Sequence, residues 1–199
     1  PPLPDGWGRL TFTIDRWKIQ QQNAVGLVNA QDEATLDYLL LAAQGYQESQ
    51  LDQKRRSARG AVGVMQLMPA TAADKAVGVR GIDKSADRNI EAGAKYLRHL
   101  IDTYIDDPQV DERNRFLFAL AAYNAGPGNL AKFRRRAVEM DLDPNRWFGN
   151  VENAAADIVG RETVQYVSNI YMYFVAYSLL SDIASRRAAE KTRIDPDQP

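Results

Sequence analysis

Glu48 is the residue whose surroundings could do acid–base chemistry. It follows two to three turns of apolar helix, and at 3.6 residues per turn it projects beside Leu41 and Gly45. A carboxyl there sits at the edge of a buried face and near the negative end of a helix. Desolvation and the helix dipole both disfavour its ionised form, so the spacing predicts a raised pKa and a proton donor near neutral pH. Taken alone, such a glutamate is more simply read as fraying into solvent.

Three neighbouring blocks change that reading. The first runs from Glu48-Ser49 through Ser57, Gly60-Ala61, Gly63, Gln66, Met68-Pro69 and Thr71. Glycines at 60 and 63 permit a tight turn and close approach of a ligand. The Ser57 hydroxyl and Gln66 amide are neutral hydrogen-bonding groups suited to sugar hydroxyls and N-acetyl groups, with Met68 as an adaptable apolar wall. The bland alternative is a glycine-containing loop over a core methionine. The second block, Ala121-Ala122-Tyr123-Asn124-Ala125-Gly126-Pro127-Gly128, ends one helix and starts another. It offers Tyr123 as a phenol and Asn124 as a polar group stabilising the turn. In the third, Glu162 and Tyr166 share one helix face at i, i+4 spacing.

The elements that must position these groups read as helices. Asp32 caps a helix whose apolar face is Leu36, Leu39, Leu40 and Ala43. Pro69 suits a first helical position. Ile90, Ala94, Leu97 and Ile101 mark an amphipathic helix, and Phe116 to Tyr123 a more buried one stopped near Gly126. Pro127 starts another, through Val138. Val164, Val167, Ile170 or Tyr171, and Phe174 mark a long final helix, and Lys191 to Pro199 reads as a frayed tail. Residues 1–30, with Pro1, Pro2, Pro4 and Gly6, form an irregular opening with one short alternating strand at Leu10 to Ile14.

Bulk properties exclude several classes. The 199 residues are 45% apolar and 26% charged, enough for one domain with a real core. A net charge of −1 argues against nucleic acid, and Arg134-Arg135-Arg136 reads as a solvated helix face. Without cysteine there is no thiol nucleophile or cysteine metal site, and His99 stands alone for any histidine site or triad, so no metal or cofactor is expected. No stretch reaches the roughly 18 apolar residues of a membrane span. The chain begins at Pro1 without a signal-like segment and reads as part of a longer protein.

In order and spacing, the three blocks closely resemble the SLT-type lytic transglycosylase catalytic domain, over residues 33 to 182. Tyr38-Leu39-Leu40 and Tyr166 to Ile170 look most like the membrane-bound F type. The resemblance implies an all-α, lysozyme-like domain at 31–190 behind a short irregular extension at 1–30, with the tail at 191–199. It implies cleavage of the β-1,4 bond between N-acetylmuramic acid and N-acetylglucosamine, leaving 1,6-anhydro ends, with peptidoglycan strands as partner and a periplasmic or envelope location. Glu48 would be the catalytic acid and base; Ser57 would orient it or the N-acetyl group. Gln66, Met68, Tyr123, Asn124, Glu162 and Tyr166 would border the substrate, with Tyr123 within hydrogen-bonding reach of Glu48. A solute-binding-like regulatory domain would precede this one in the full-length protein. The alternatives are a goose-type lysozyme-like hydrolase, for which Asp52 or Glu162 could supply a second carboxylate, and a non-catalytic glycan-binding module.

Overall fold

A computed structural model describes residues 38–194, and the described residues are all-α with two isolated antiparallel bridges. The strand expected at Leu10 to Ile14, the Asp32 cap and Leu36 lie outside them.

Helix α1, Tyr38–Ser49, is buried from Leu39 through Gly45 with no gap, so it runs through the core rather than along its surface. Two left-handed residues, Gln50 (φ 57°) and Leu51 (φ 64°), end it and turn the chain into the loop over 50–68. Short α2, Pro69–Ala73, opens on the expected proline. In α3, Ala86–Tyr104, Ser85 accepts from the Arg88 amide, and Ile90, Leu97, Leu100 and Ile101 are buried.

Helix α4, Glu112–Ala125, is capped by Asp111 and buries every residue from Leu117 to Ala122. Gly126, at φ 89°, breaks it in a conformation other residues rarely adopt, and Pro127 begins α5, Pro127–Glu139, at once. A kinked turn over Trp147–Val151 leads into α6, Glu152–Val159, and then α7, Arg161–Ile194. Periodicity did not announce the kinked turn or α6: Phe148 and Gly149 have non-helical angles, which interrupts any regular spacing. Helix α7 runs past Lys191, where the composition suggested fraying.

One large core joins α1, α3, α4, α5, α6 and α7, with Trp147 wholly buried edge-on to Phe118. A smaller cluster of Val62, Leu67, Ala72, Val77, Val79, Ile82 and Ala92 lies under the loop. The arginine run is more than a solvated face. Arg134 pairs with Asp107 at 2.8 Å, donates to the Pro144 carbonyl and lies over the Phe118 ring, tying α5 to its neighbours. Arg136, on the surface, pairs with Asp157 and Glu139.

Candidate active site

Glu48 lies in the last turn of α1, half-buried. Its Oε1 accepts a 2.6 Å hydrogen bond from the Tyr166 hydroxyl of α7. Among the described residues no donor reaches Oε2. Burial raises the carboxyl from its ordinary 4.5 to about 7, against the opposing pull of the Tyr166 hydrogen bond. No second carboxylate takes part in that shift.

Tyr166 is the phenol that reaches the acid, in place of the expected Tyr123. The Tyr123 hydroxyl donates 2.8 Å to the Met65 carbonyl and so fastens the loop to α4. Both phenols are pushed well above the usual tyrosine range by burial and by the neighbouring Glu48 charge, so both remain hydrogen-bond donors. Geometry explains the exchange of roles: α7 lies along α1, where Gln47 accepts from Asn169 at 3.2 Å and Tyr46 meets Tyr173 edge-on at 5.0 Å. A residue of α7 in that seam therefore meets Glu48 from the side.

The loop residues mostly bind the loop itself. Ser57 Oγ accepts from the Ala61 amide at 3.0 Å, while the acid is oriented by Tyr166. Gln66, held at φ 43°, donates from Nε2 to the carbonyls of Gly63 (2.8 Å) and Arg55 (3.3 Å), which leaves Oε1 as its free acceptor. Met68 is 40% exposed, beside Gly60. Gly63, at φ 77°, is required by protein rather than ligand: a Cβ there would lie 2.6 Å from Asn89 Cγ and Gln53 Oε1. Asn124 is exposed but accepts from buried Thr163 at 2.8 Å, so it joins the end of α4 to the start of α7. Glu162 is exposed on the first turn of α7, one turn before Tyr166, and plays no part in the raised state of Glu48.

Several residues that hold the site escaped the sequence reading. Buried Ser49 donates to the Val64 carbonyl at 2.8 Å, pinning the end of α1 to the loop. Wholly buried Asn89 of α3 accepts from the Met65 amide (2.7 Å) and donates to the carbonyls of Val62 (2.8 Å) and Ile82 (3.1 Å). Gln53 accepts from the Val64 amide and donates to the Ile82 carbonyl. Gln44, one turn before Glu48 and wholly buried, donates to the Tyr166 oxygen at 3.2 Å. Its signal was legible: an amide set in the apolar run Leu39 to Gly45, four residues before the acid. Asn89 gave no such signal, because its partners are backbone atoms 7 to 27 residues away.

The family model of the transglycosylase SLT domain matches residues 27–143. The chain belongs to this family. A membrane-bound lytic murein transglycosylase F from Desulfosudis oleivorans is 37% identical over 161 residues, covering 73% of this chain and 34% of that protein. Its counterpart F 1 from Alkalilimnicola ehrlichii is 33% identical over 79% of this chain and 34% of that protein. The chain thus spans about a third of the length of these relatives. Among solved structures, an inactive Glu-to-Gln mutant of the lytic transglycosylase Slt from Pseudomonas aeruginosa superposes with a TM-score of 0.55 at 27% identity, covering 83% of this chain and 24% of that one. The 70 kDa soluble lytic transglycosylase of Escherichia coli gives 0.50 at 26% identity, over 76% and 23%. The SLT fold is the lysozyme-like helical one expected, and its matched segment carries Glu48, the loop and Tyr123. Tyr166, the acid's partner, lies beyond it.

Proposed function

We propose that this SLT domain is a peptidoglycan lytic transglycosylase that cleaves the β-1,4 bond between N-acetylmuramic acid and N-acetylglucosamine. The observation that carries the proposal is Glu48: one half-buried carboxyl, raised to about 7 by burial, with a phenol on Oε1 and, among the described residues, no carboxylate contributing to its shift. A group with that pKa can give up a proton and recover it near neutral pH. Glu48 protonates the departing glycosidic oxygen as its bond to the muramyl C1 breaks. The N-acetyl oxygen of the same sugar stabilises the cationic carbon, the substrate assistance that replaces a second carboxylate. Ionised Glu48 then takes the proton of the C6 hydroxyl as that oxygen closes on C1. The product is a 1,6-anhydro end, and Glu48 is protonated again.

Gln66 through its free Oε1, Met68, Asn124 and Glu162 are assigned to the substrate's path. Tyr166 and Tyr123 act behind them, the first on the acid and the second on the loop. An inverting hydrolase needs a second carboxyl roughly 6.5–9.5 Å across the bond. Neither candidate contributes to the raised state of Glu48, and Asp52 Oδ1 is engaged by the Lys54 amide at 2.8 Å. The reaction belongs at the cell envelope, on the periplasmic side where peptidoglycan lies. None of the described helices is long and apolar enough to cross a membrane. Anchoring and a solute-binding-like regulatory domain are assigned to the length that the relatives have beyond this chain.

The test is digestion of purified peptidoglycan followed by mass spectrometry. Anhydro ends are expected from the native chain and absent with Glu48→Gln, and activity should fall as pH rises through about 7, where Glu48 loses its proton. Reducing ends would overturn the transglycosylase reading, and undiminished turnover by Glu48→Gln would overturn the residue.

A further inference from the structure

Gln44 occupies a position that packing alone would give to an apolar side chain. It is wholly buried in α1 between Ala43 and Gly45, at the center of the helix that carries Glu48. Its Nε2 donates to Tyr166 at 3.2 Å, while its Oε1 is buried with no hydrogen-bond partner. An unpaired buried carbonyl is unfavourable, and a side chain kept only for stability would be replaced at little loss by an apolar one of the same size. The amide therefore calls for a reason beyond packing, and its neighbours supply one.

A phenol has one proton to give and lone pairs to receive. With Gln44 donating to its oxygen, Tyr166 is left to send its own proton to Glu48 Oε1, 2.6 Å away. An acid whose Oε1 already receives a hydrogen bond carries its own proton on Oε2, the oxygen no protein donor reaches. Remove Gln44, and the Tyr166 oxygen becomes free to accept. Protonated Glu48 can then place its proton on Oε1 and point it at Tyr166, away from any substrate. The reversed amide would have a similar effect, drawing the phenol proton to Gln44 and leaving the acid without a donor.

We propose that Gln44 is a positioning residue that fixes the direction of the Tyr166 hydrogen bond and thereby holds the Glu48 proton on the oxygen open to substrate. The role of that proton rests on the reading given under Proposed function; the direction of the hydrogen bond does not. The titratable groups that face the site are Glu48 on α1, Tyr166 on α7 and Tyr123 on α4, with Tyr96 of α3 against Tyr123 at 5.2 Å. Among the described residues no cation contributes to the state of Glu48, which burial and the Tyr166 hydrogen bond set.

The test is Gln44→Met, with Gln44→Leu as a second apolar replacement, each made in the native chain and in Tyr166→Phe. In the native background turnover should drop about three- to ten-fold with KM unchanged, the scale of one net hydrogen bond. Thermal stability should hold or rise, because the unpaired carbonyl is gone. The midpoint of the Glu48 carboxyl, followed by carbon NMR without substrate, should move to higher pH, since the Tyr166 bond that favours the carboxylate is weakened. In Tyr166→Phe the same substitution should change neither turnover nor midpoint. An equal loss in both backgrounds, or an unchanged midpoint in the native one, would overturn the proposal. A native chain that makes no anhydro ends but shows the shifted midpoint would instead refute the reaction and leave the hydrogen-bond direction standing.

Discussion

Two regions meet at Glu48, and they are built in opposite ways. The seam between α1 and α7 is plain in sequence, yet its polar side chains converge on the acid: Gln44 on Tyr166, Tyr166 on Glu48, Asn169 on Gln47. The loop over 50–68 is dense in residues that look made for a ligand, yet most of their hydrogen bonds turn inward. Ser57, Gln66 and Gln53 from within it, and Ser49 and Asn89 from the flanking helices, each bond loop backbone, Gln53 and Asn89 also reaching the Ile82 carbonyl. The helix seam sets the state of the proton, and the loop supplies a shaped wall that its own polar groups keep rigid. Side-chain type alone could not separate the two, because a serine or glutamine that holds a loop looks the same as one that holds a sugar.

The largest effect separates function from stability at the acid. Glu48→Gln should reduce turnover by at least about a thousand-fold, since one group serves as both acid and base. The same change should stabilise the fold. The native state holds Glu48 at about 7 against 4.5 when unfolded, so between those values the folded chain binds more protons. Native stability therefore declines as pH rises through that window, and the deficit is complete above it. Denaturant unfolding at pH 8 should favour Glu48→Gln by about 1 to 3 kcal/mol, shrinking to nothing as pH approaches 4.5. A mutant no more stable than native at pH 8 would mean that the seam does not dehydrate this carboxyl.

Breaking the loop should show the reverse pattern. Asn89→Leu leaves the Met65 amide and the Val62 and Ile82 carbonyls without their buried partner, and the larger side chain crowds Gly63. A loss of about 2 to 4 kcal/mol is expected, with no change in the Glu48 midpoint. A shifted midpoint at full stability would show that the two regions are one.

The tyrosines make the finer comparison. Tyr166→Phe removes the hydrogen bond that favours the carboxylate, so the pH above which activity is lost should rise, and turnover should fall about ten-fold. Tyr123→Phe releases the Met65 carbonyl instead, which should reduce stability by about 1 kcal/mol and leave the pH profile in place. Equal pH shifts from both would put Tyr123 on the acid after all, as the family resemblance implied.

These cases show what was legible. Apolar spacing placed α1, α3, α4 and α7, and Pro127 after Gly126 placed the start of α5. It missed α6 and the turn before it, where Phe148 and Gly149 break the period and burial rests on Trp147 and small alanines. Glu48 and the desolvation that raises its pKa were both readable from a carboxyl at the edge of an apolar face. The identity of its partner was not. Tyr166 and Tyr123 are equally plausible phenols until the packing of α7 on α1 is known, and periodicity gives no relative position of two helices 118 residues apart.

Glu162 gives the smallest effect and the sharpest remaining distinction between contact and scaffold. It is exposed at the start of α7, where its charge suits the helix N-terminus. Glu162→Gln should change stability by no more than about 0.5 kcal/mol. If this side chain meets the glycan, as proposed, KM should rise a few-fold with turnover unchanged, the mark of binding shared equally by ground and transition states. A fall in turnover at constant KM would make Glu162 part of the chemistry, and the acid would no longer work alone.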